Sequence, residues 1–427
     1  MNKKAEIKNR IDLINRGEVP EGYKKVHGYI IPNDWNIVPI KKIARQVKRS
    51  VEKPSESYYR LSVRSHAKGT FHSFVENPET VAMEELFQVK ENDLIVNITF
   101  AWEHAIAIVK KEDNNLLVSH RFPTYEFNSN ASVKFYENII KLPKIKKMLS
   151  DMSPGGAGRN RVLNQTDFYN SLYIPYTNFK EQEKIAKILK CCDKVIELKE
   201  KLLEEKLNEK KYLMDKTFSK KYENNYQLKN LGTTFIGLSN KNKKDFGYGK
   251  PYIPYINIFN NTFVDASKLE YVNILQNENQ ATVKYGDIFF TTSSECPEEV
   301  GMTSVWLHNL AEVYLNSFCF GYRLNDFKIL IPEYAGYYFR SPNFRVVLNK
   351  LAQGVTRFNL SKNNLMEERI SLPSLEKQKQ IAKIFLKIDK QIKLIQQELE
   401  QYKQLKKSLS QLLLTGIVRT VEVDCEN

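Results

Sequence analysis

The 427-residue chain has little of what enzymes and secreted proteins usually display. Its five cysteines, Cys191, Cys192, Cys296, Cys319 and Cys425, form no C-x-x-C pair. An odd number in a long chain argues against a disulfide framework and predicts reduced thiols. The six histidines, His27, His66, His72, His104, His120 and His308, stand apart, so the sequence offers no zinc signature. A G-x-x-x-x-G-K-[ST] phosphate loop, an H-E-x-x-H pair and a G-x-S-x-G nucleophile elbow are all missing. So is an N-P-P-Y-like tetrapeptide with a methyl-donor loop, and Gly247-Tyr248-Gly249-Lys250 is only a fragment of a glycine-rich turn. No stretch approaches the roughly 20 apolar residues needed to cross a bilayer. The start, MNKKAEIKNRIDLINRG, has basic residues without a following apolar run, which predicts a cytoplasmic protein without a membrane partner.

Acidic residues are also outnumbered. Lys plus Arg total 65 against 50 Asp plus Glu, a formal charge of +15 that concentrates polyanions, nucleic acid first. What is present suffices for real cores: 42% hydrophobic residues, including 23 Tyr and 23 Phe. The length predicts about three domains.

The organising feature is an internal repeat. Q-E-K-I-A-K-I at 182–188 recurs 196 residues later as Q-K-Q-I-A-K-I at 378–384. At the same offset Asp193-Lys194 meets Asp389-Lys390, and Gly158 and Arg161 meet Gly354 and Arg357. In the second copy Ile381, Phe385, Ile388, Ile392, Ile395, Leu399, Tyr402, Lys406, Leu409 and Leu413 follow a four-three spacing, a coiled-coil seam broken at Lys406. The first copy runs through Ile185, Leu189, Cys192, Ile196, Lys199, Leu203, Lys206, Lys210, Leu213 and Thr217. Helices of about 35 residues, roughly 50 Å long, are expected to pack on each other. Lys206, Lys210, Lys211, Lys220 and Lys221, diluted by Glu204, Glu205 and Glu209, read as a solvated face. Around the helices lie stretches of short β-like runs, with V-K-E-N-D-L-I-V from Val89 matching V-K-Y-G-D-I-F-F from Val283. The order is globule, helix, globule, helix.

This arrangement resembles the specificity subunit of a type I restriction-modification system. The resemblance covers nearly the whole chain and rests on the signature I-S-L-P-S-L-E-K-Q-K-Q-I-A from Ile370. The first copy, I-P-Y-T-N-F-K-E-Q-E-K-I-A from Ile174, departs at Thr177 and Phe179. The implied fold is α+β: two similar target-recognition globules separated by two long helices packed as an antiparallel coiled coil with a pseudo-twofold repeat. The expected bounds are a first recognition domain at 1–178, a spacer helix at 179–223, a second domain at 224–372, a second helix at 373–416 and a tail at 417–427. The resemblance implies a non-catalytic chain without its own cofactor or metal. One domain would read each half of a split, asymmetric site in double-stranded DNA. Two methyltransferase subunits using S-adenosylmethionine would dock, and two motor-nuclease subunits using ATP and Mg²⁺ could join them. The alternatives are a nuclease or methyltransferase with a degenerate site, and a coiled-coil adaptor binding proteins.

Base reading needs side chains whose donors and acceptors match base edges. In the first globule the candidates are Arg60, Arg64, His66 and Lys68 in one β-turn-like stretch, and Arg159, Asn160 and Arg161 after a P-G-G-A-G turn. Ser119-His120-Arg121-Phe122-Pro123 looks like a further recognition stretch. In the second they are Thr291, Thr292 and Ser293 at a strand end, with Thr356, Arg357 and Asn359. The shared Arg161 and Arg357 are expected to hold phosphate or structure, because residues common to two readers of different half-sites carry little sequence information.

Overall fold

A computed structural model describes residues 3–156 and 160–420. They divide into two units: 1–198 with 399–427, and 199–398. Each long helix contributes one half to each unit. The helices span Phe179–Phe218 and Leu375–Leu414, 40 residues each, about 60 Å and about five residues longer than the seam predicted. Both start at a side-chain cap. Asn178 Oδ1 accepts from the Glu181 N–H at 3.0 Å, and Ser374 Oγ from the Lys377 N–H at 3.4 Å, satisfying donors that a helix start leaves open. The second helix stops at Gly416, whose φ of 70° is the left-handed conformation that ends helices at little cost.

In the second unit Lys199 pairs with Glu398 at 2.6 Å and Lys210 with Asp389 at 2.5 Å. Partners descend along one helix as they ascend along the other, so the helices run antiparallel. In the first unit the pair is Asp193 with Lys406. Shifted by the 196-residue repeat, Asp193–Lys406 becomes Asp389–Lys210, so one interaction occurs once in each unit. The lysine that interrupts the apolar seam is thus an ion-pair partner, and polar pairs at seam positions select register and orientation. Ile381, Phe385, Ile388, Ile392, Ile395 and Leu399 are buried as the spacing predicts, whereas Tyr402 lies 37% exposed.

The first globule is built on a four-stranded antiparallel sheet in the order Ile106–Ile108, Leu94–Val96, Thr124–Phe127, Ala44–Val47. The second repeats it as Thr303–Val305, Ile288–Thr291, Cys319–Leu324, Gly232–Ile236. A second layer recurs too. Leu117–Val118 runs parallel to Tyr58–Val63, and Tyr314–Leu315 runs parallel to Phe246–Ile253. Trp35, Tyr125, Phe135, Tyr136 and Phe168 fill one core, and Phe290, Phe320, Tyr322, Tyr334 and Tyr337 the other.

The matched V-K-x-x-D segments explain this likeness. Each makes a turn in which the Asp N–H bonds the Lys carbonyl at 3.1 Å, Lys90 to Asp93 and Lys284 to Asp287. The residue before the aspartate is left-handed, Asn92 at 71° and Gly286 at 85°. Each aspartate is buried and accepts a two-pronged arginine, Arg49 on Asp93 at 2.5 and 3.1 Å, and Arg323 on Asp287 at 2.8 and 2.6 Å. Burial pushes the Asp287 carboxyl above its usual range, against the pull of Arg323.

The rod meets each globule through one buried glutamine. Gln182 donates to the carbonyls of Thr177 at 2.6 Å and Asn130 at 3.3 Å, and accepts from the Ser132 N–H at 2.8 Å. Gln378 donates to Pro373 at 3.0 Å and Ile329 at 2.8 Å, and accepts from the Ile331 N–H at 3.1 Å. Ser132 and Ile331 are the N-caps of Val133–Ile139 and Pro332–Tyr338, so this contact seats equivalent short helices. Thr177, standing where the second copy has Pro373, bonds Glu181 at 2.8 Å. Glu181 also accepts from Trp35 at 3.0 Å and from Arg419 at 2.8 and 3.0 Å. With Ile417 and Val418 buried, residues 417–420 pack in the first globule instead of forming a tail.

His104 offers a pH test of the first globule. Its ring is buried and its Nε2 donates to the Ile140 carbonyl at 2.6 Å; burial, and secondarily Lys146, lower its pKa. The unfolded chain therefore takes up the proton first. The stability that the neutral ring contributes is present above about pH 6.5 and is lost as pH falls through the lowered value. The urea midpoint of the first globule should drop between pH 7.5 and 5.5, and His104→Asn, which tolerates the left-handed backbone, should flatten that drop. Identical pH profiles for both proteins would rule the account out.

Candidate nucleic-acid interface

In the first globule Tyr58–Val63 and Thr70–Val75 form a hairpin. Alternation along the strand sets Arg60 and Ser62 on one face and the buried Leu61 and Val63 on the other. Arg64 follows on the Arg60 side, with its guanidinium 4.9 Å from the Phe71 ring centre. The turn beyond it carries His66 and Lys68, both exposed. It is held rigidly: the Arg64 N–H bonds the Gly69 carbonyl at 2.9 Å, and the His66 and Ala67 N–H groups bond the carbonyls of Glu103 and His104, each at 2.8 Å. Ser65 adds a hydroxyl bond to the Glu103 carboxylate at 2.6 Å. The structure thus gathers Arg60, Arg64, His66 and Lys68 onto one fixed hairpin end. Two exposed aromatics, Tyr59 and Phe74, pair with ring centres 5.0 Å apart on the opposite face of the hairpin, at its end away from the turn.

The second candidate group meets the same short turn, Ala101–Glu103, through Trp102. Arg161 lies 5.2 Å over the Trp102 ring and donates to the Ser153 carbonyl at 2.9 Å and to the Ser150 carbonyl and hydroxyl at 2.7 and 2.9 Å. It is a loop anchor, held through Nε and Nη2. Asn160 is exposed, and Arg159 lies outside the described residues, as does Gly158. The sequence pairing of Arg161 with Arg357 does not survive in space. By conformation Gly155, with φ 142°, matches Gly354, with φ 136°. An added Cβ would come within 2.6 Å of the Asn160 carbonyl oxygen in one case and 2.0 Å of the Arg357 oxygen in the other. Arg357 is exposed where Arg161 is fixed.

In the second globule Ser293–Ser294 pairs with Phe358–Leu360, which sets Ser293 opposite Asn359. Thr292 donates its hydroxyl to the Phe318 carbonyl at 2.7 Å. Thr291 is fully buried and its hydroxyl accepts from the Met302 N–H at 2.9 Å, which removes it from any reading surface. Thr356, Arg357 and Asn359 are exposed. Arg357 shares a shallow groove of about 400 Å³ with Ser293, Ser294, Phe318, Tyr255 and Ile256.

Sequence reasoning missed exposed apolar residues near both surfaces, Tyr59 and Phe74 on the opposite face of the first hairpin and Phe318, 65% exposed, in the second groove. Aromatic residues in β-like runs carry no mark distinguishing a rim from a core. It also missed a cleft of about 480 Å³ that joins Gln46, Lys48, Gln165 and Tyr169 to His120. Only the stretch around His120 had pointed there. Among the described residues no cluster of His, Cys, Asp and Glu could hold a metal ion, and no helix is long and apolar enough to cross a membrane.

The type I restriction modification DNA specificity domain matches this chain twice, at residues 32–208 and 220–404. The chain is 25% identical over 458 residues to the type I restriction enzyme MjaVIII specificity subunit of Methanocaldococcus jannaschii, covering 93% of this chain and 96% of that one. The putative type I restriction enzyme MjaX specificity subunit of the same organism is 26% identical over 431 residues, covering 93% and 97%. Among solved structures, the HsdS subunit from Thermoanaerobacter tengcongensis superposes with a TM-score of 0.55 at 17% identity, over 92% of this chain and 99% of that one. A chain from a study of complex assembly and conformational transition in the type I R-M system gives 0.59 at 16%, over 91% and 99%. With one domain match on each repeat and nearly full-length relatives, the chain belongs to the type I restriction-modification DNA specificity family and is a non-catalytic DNA sequence-specificity subunit.

Proposed function

We propose that each globule reads one half of a split, asymmetric DNA site and that the helix pair sets the unread interval between the halves. The observation that carries this reading is one scaffold used twice with different exposed side chains. The sheet order, the V-K-x-x-D turn and the glutamine joint recur, while the outward residues do not. The first globule presents Arg60, Arg64, His66 and Lys68 on one hairpin, with Asn160 beyond the anchor Arg161; Arg159, outside the described residues, is proposed with them. The second presents Thr292, Ser293, Thr356, Arg357 and Asn359. Arginine fits guanine bidentately and asparagine fits adenine, so the two surfaces are suited to different base edges. Two methyltransferase subunits, supplying S-adenosylmethionine, dock on the subunit in the cytoplasm, and two motor-nuclease subunits supply ATP and Mg²⁺ chemistry.

The test is to map methylated adenines in DNA exposed to the chain reconstituted with its methyltransferase subunits. A motif of two dissimilar halves around an unread gap is expected; a continuous palindrome would sink the two-reader account. Asn359→Ala should relax one position of one half-site, costing about 1–3 kcal/mol in discrimination there while the other half is read unchanged. Uniform weakening over all sequences would instead make Asn359 a backbone contact. DNA affinity of the complex should fall steeply with salt, which a protein-binding adaptor would not show.

A further inference from the structure

The two rod-to-globule joints share geometry but not charge. Along the first, Lys180, Lys184, Lys187 and Lys190, with Lys134 from the short helix seated by Gln182, line a groove of about 580 Å³ floored by Phe179 and Ala186. All five lysines are exposed, and none has an ion-pair partner among the described residues. The carboxylate lining the groove, Glu183, accepts the Ser132 hydroxyl. At the matching positions of the second copy stand Glu376, Gln380, Lys383 and Leu386, with Glu333 in place of Lys134. There Lys379 is tied to Glu376 at 2.8 Å. Since Gln182 and Gln378 make the same three bonds, the repeat is its own control: one backbone frame, five lysines against the single carboxylate of Glu183 on one copy and a near-neutral face on the other.

We propose that the groove at the first joint binds the phosphate backbone of DNA independently of sequence, and that the second joint does not. The inference rests on the reading of this chain as a DNA-binding subunit. Composition selects phosphate over an acidic protein surface. Lysine is depleted and arginine and aromatics are enriched where proteins bind proteins, whereas this groove has five lysines, no arginine and one aromatic. Lysine is a mobile point charge suited to phosphates that need not be held in one orientation. Lys180, Lys184 and Lys187 stand at helical spacing on one face beside the start of a 40-residue helix, whose positive end favours anions. Such a contact makes the two joints unequal in their grip on DNA, although they share the same glutamine geometry.

The experiment uses the chain assembled with its methyltransferase subunits and measures affinity for DNA with and without the mapped motif across a salt series. The variant carries Lys180→Gln, Lys184→Gln, Lys187→Gln and Lys190→Gln; the comparison variant carries Lys379→Gln and Lys383→Gln. For the first, affinity should fall ten- to a hundredfold on both DNAs, and the slope of log affinity against log salt should become shallower by about 3 to 4, near one unit per lysine. The methylated motif should not change, and the second variant should keep the parent slope. An unchanged slope in the first variant, or loss of methyltransferase co-elution in its place, overturns the proposal and in the latter case makes the groove a protein dock. If the parent complex itself lacks salt-dependent affinity for DNA, the failure belongs to the functional reading.

Discussion

Replacing Gln378 by Leu should destabilise the second globule by about 3–5 kcal/mol, because Leu leaves the Ile331 N–H and the Ile329 and Pro373 carbonyls without partners, at roughly 1–3 kcal/mol for each buried group. Gln182→Leu should do the same to the first globule through Ser132, Asn130 and Thr177. Urea unfolding measures the size, and amide hydrogen exchange assigns the place. Protection should fall in 332–338 for one variant and in 133–139 for the other, each leaving the opposite globule intact. A loss under 1 kcal/mol, or one spread over both globules, would show that the glutamine is not the joint. Asparagine at either position is too short to span the same three groups and should rescue little.

The second large effect concerns spacing. Inserting seven residues into each long helix, next to Lys199 in one and Glu398 in the other, keeps the heptad phase and the ion-pair register. It lengthens the pair by about 10 Å, the rise of about three base pairs. On the reading proposed above, methylation at the parent motif should cease and reappear at a motif with identical halves and a gap about three base pairs longer. Sequencing of the methylated DNA decides it, and retention of the parent gap would remove the helices from any role as a ruler. Insertion into one helix alone should cost stability, because Asp389–Lys210 and Asp193–Lys406 can then no longer both stay in register.

The architecture was legible where it is periodic or duplicated. The seam residues Ile381 to Leu399 announced a packed helix, and an offset of 194, close to the 196 of the helices, paired the two V-K-x-x-D turns before their sheets could be compared. The repeat misled where similar letters sit in different loops. Arg161 and Arg357 share a spacing, but Arg161 is fixed by Ser150, Ser153 and Trp102, partners too distant in sequence to be inferred from it. Thr291 shows a limit of another kind. A threonine at a strand end is as good a base reader as its neighbours until burial and the Met302 bond take it away. The lysines at 180–190 have no ion-pair partner among the described residues, whereas Lys206 and Lys210 of the same helix are tied to Glu209 and Asp389. Charge counts do not reveal which charges are already neutralised.

The doubled ion pair has a consequence for ancestry. Each helix carries an aspartate and, seventeen residues on, a lysine, so a single helix holds both halves of the contact that it needs. A protein of half the length, one globule and one rod, could pair with an identical copy of itself and would address an inverted repeat. Fusing two such genes end to end frees each half to drift, and the palindromic target becomes an unsymmetrical one without any change to the clasp between the rods.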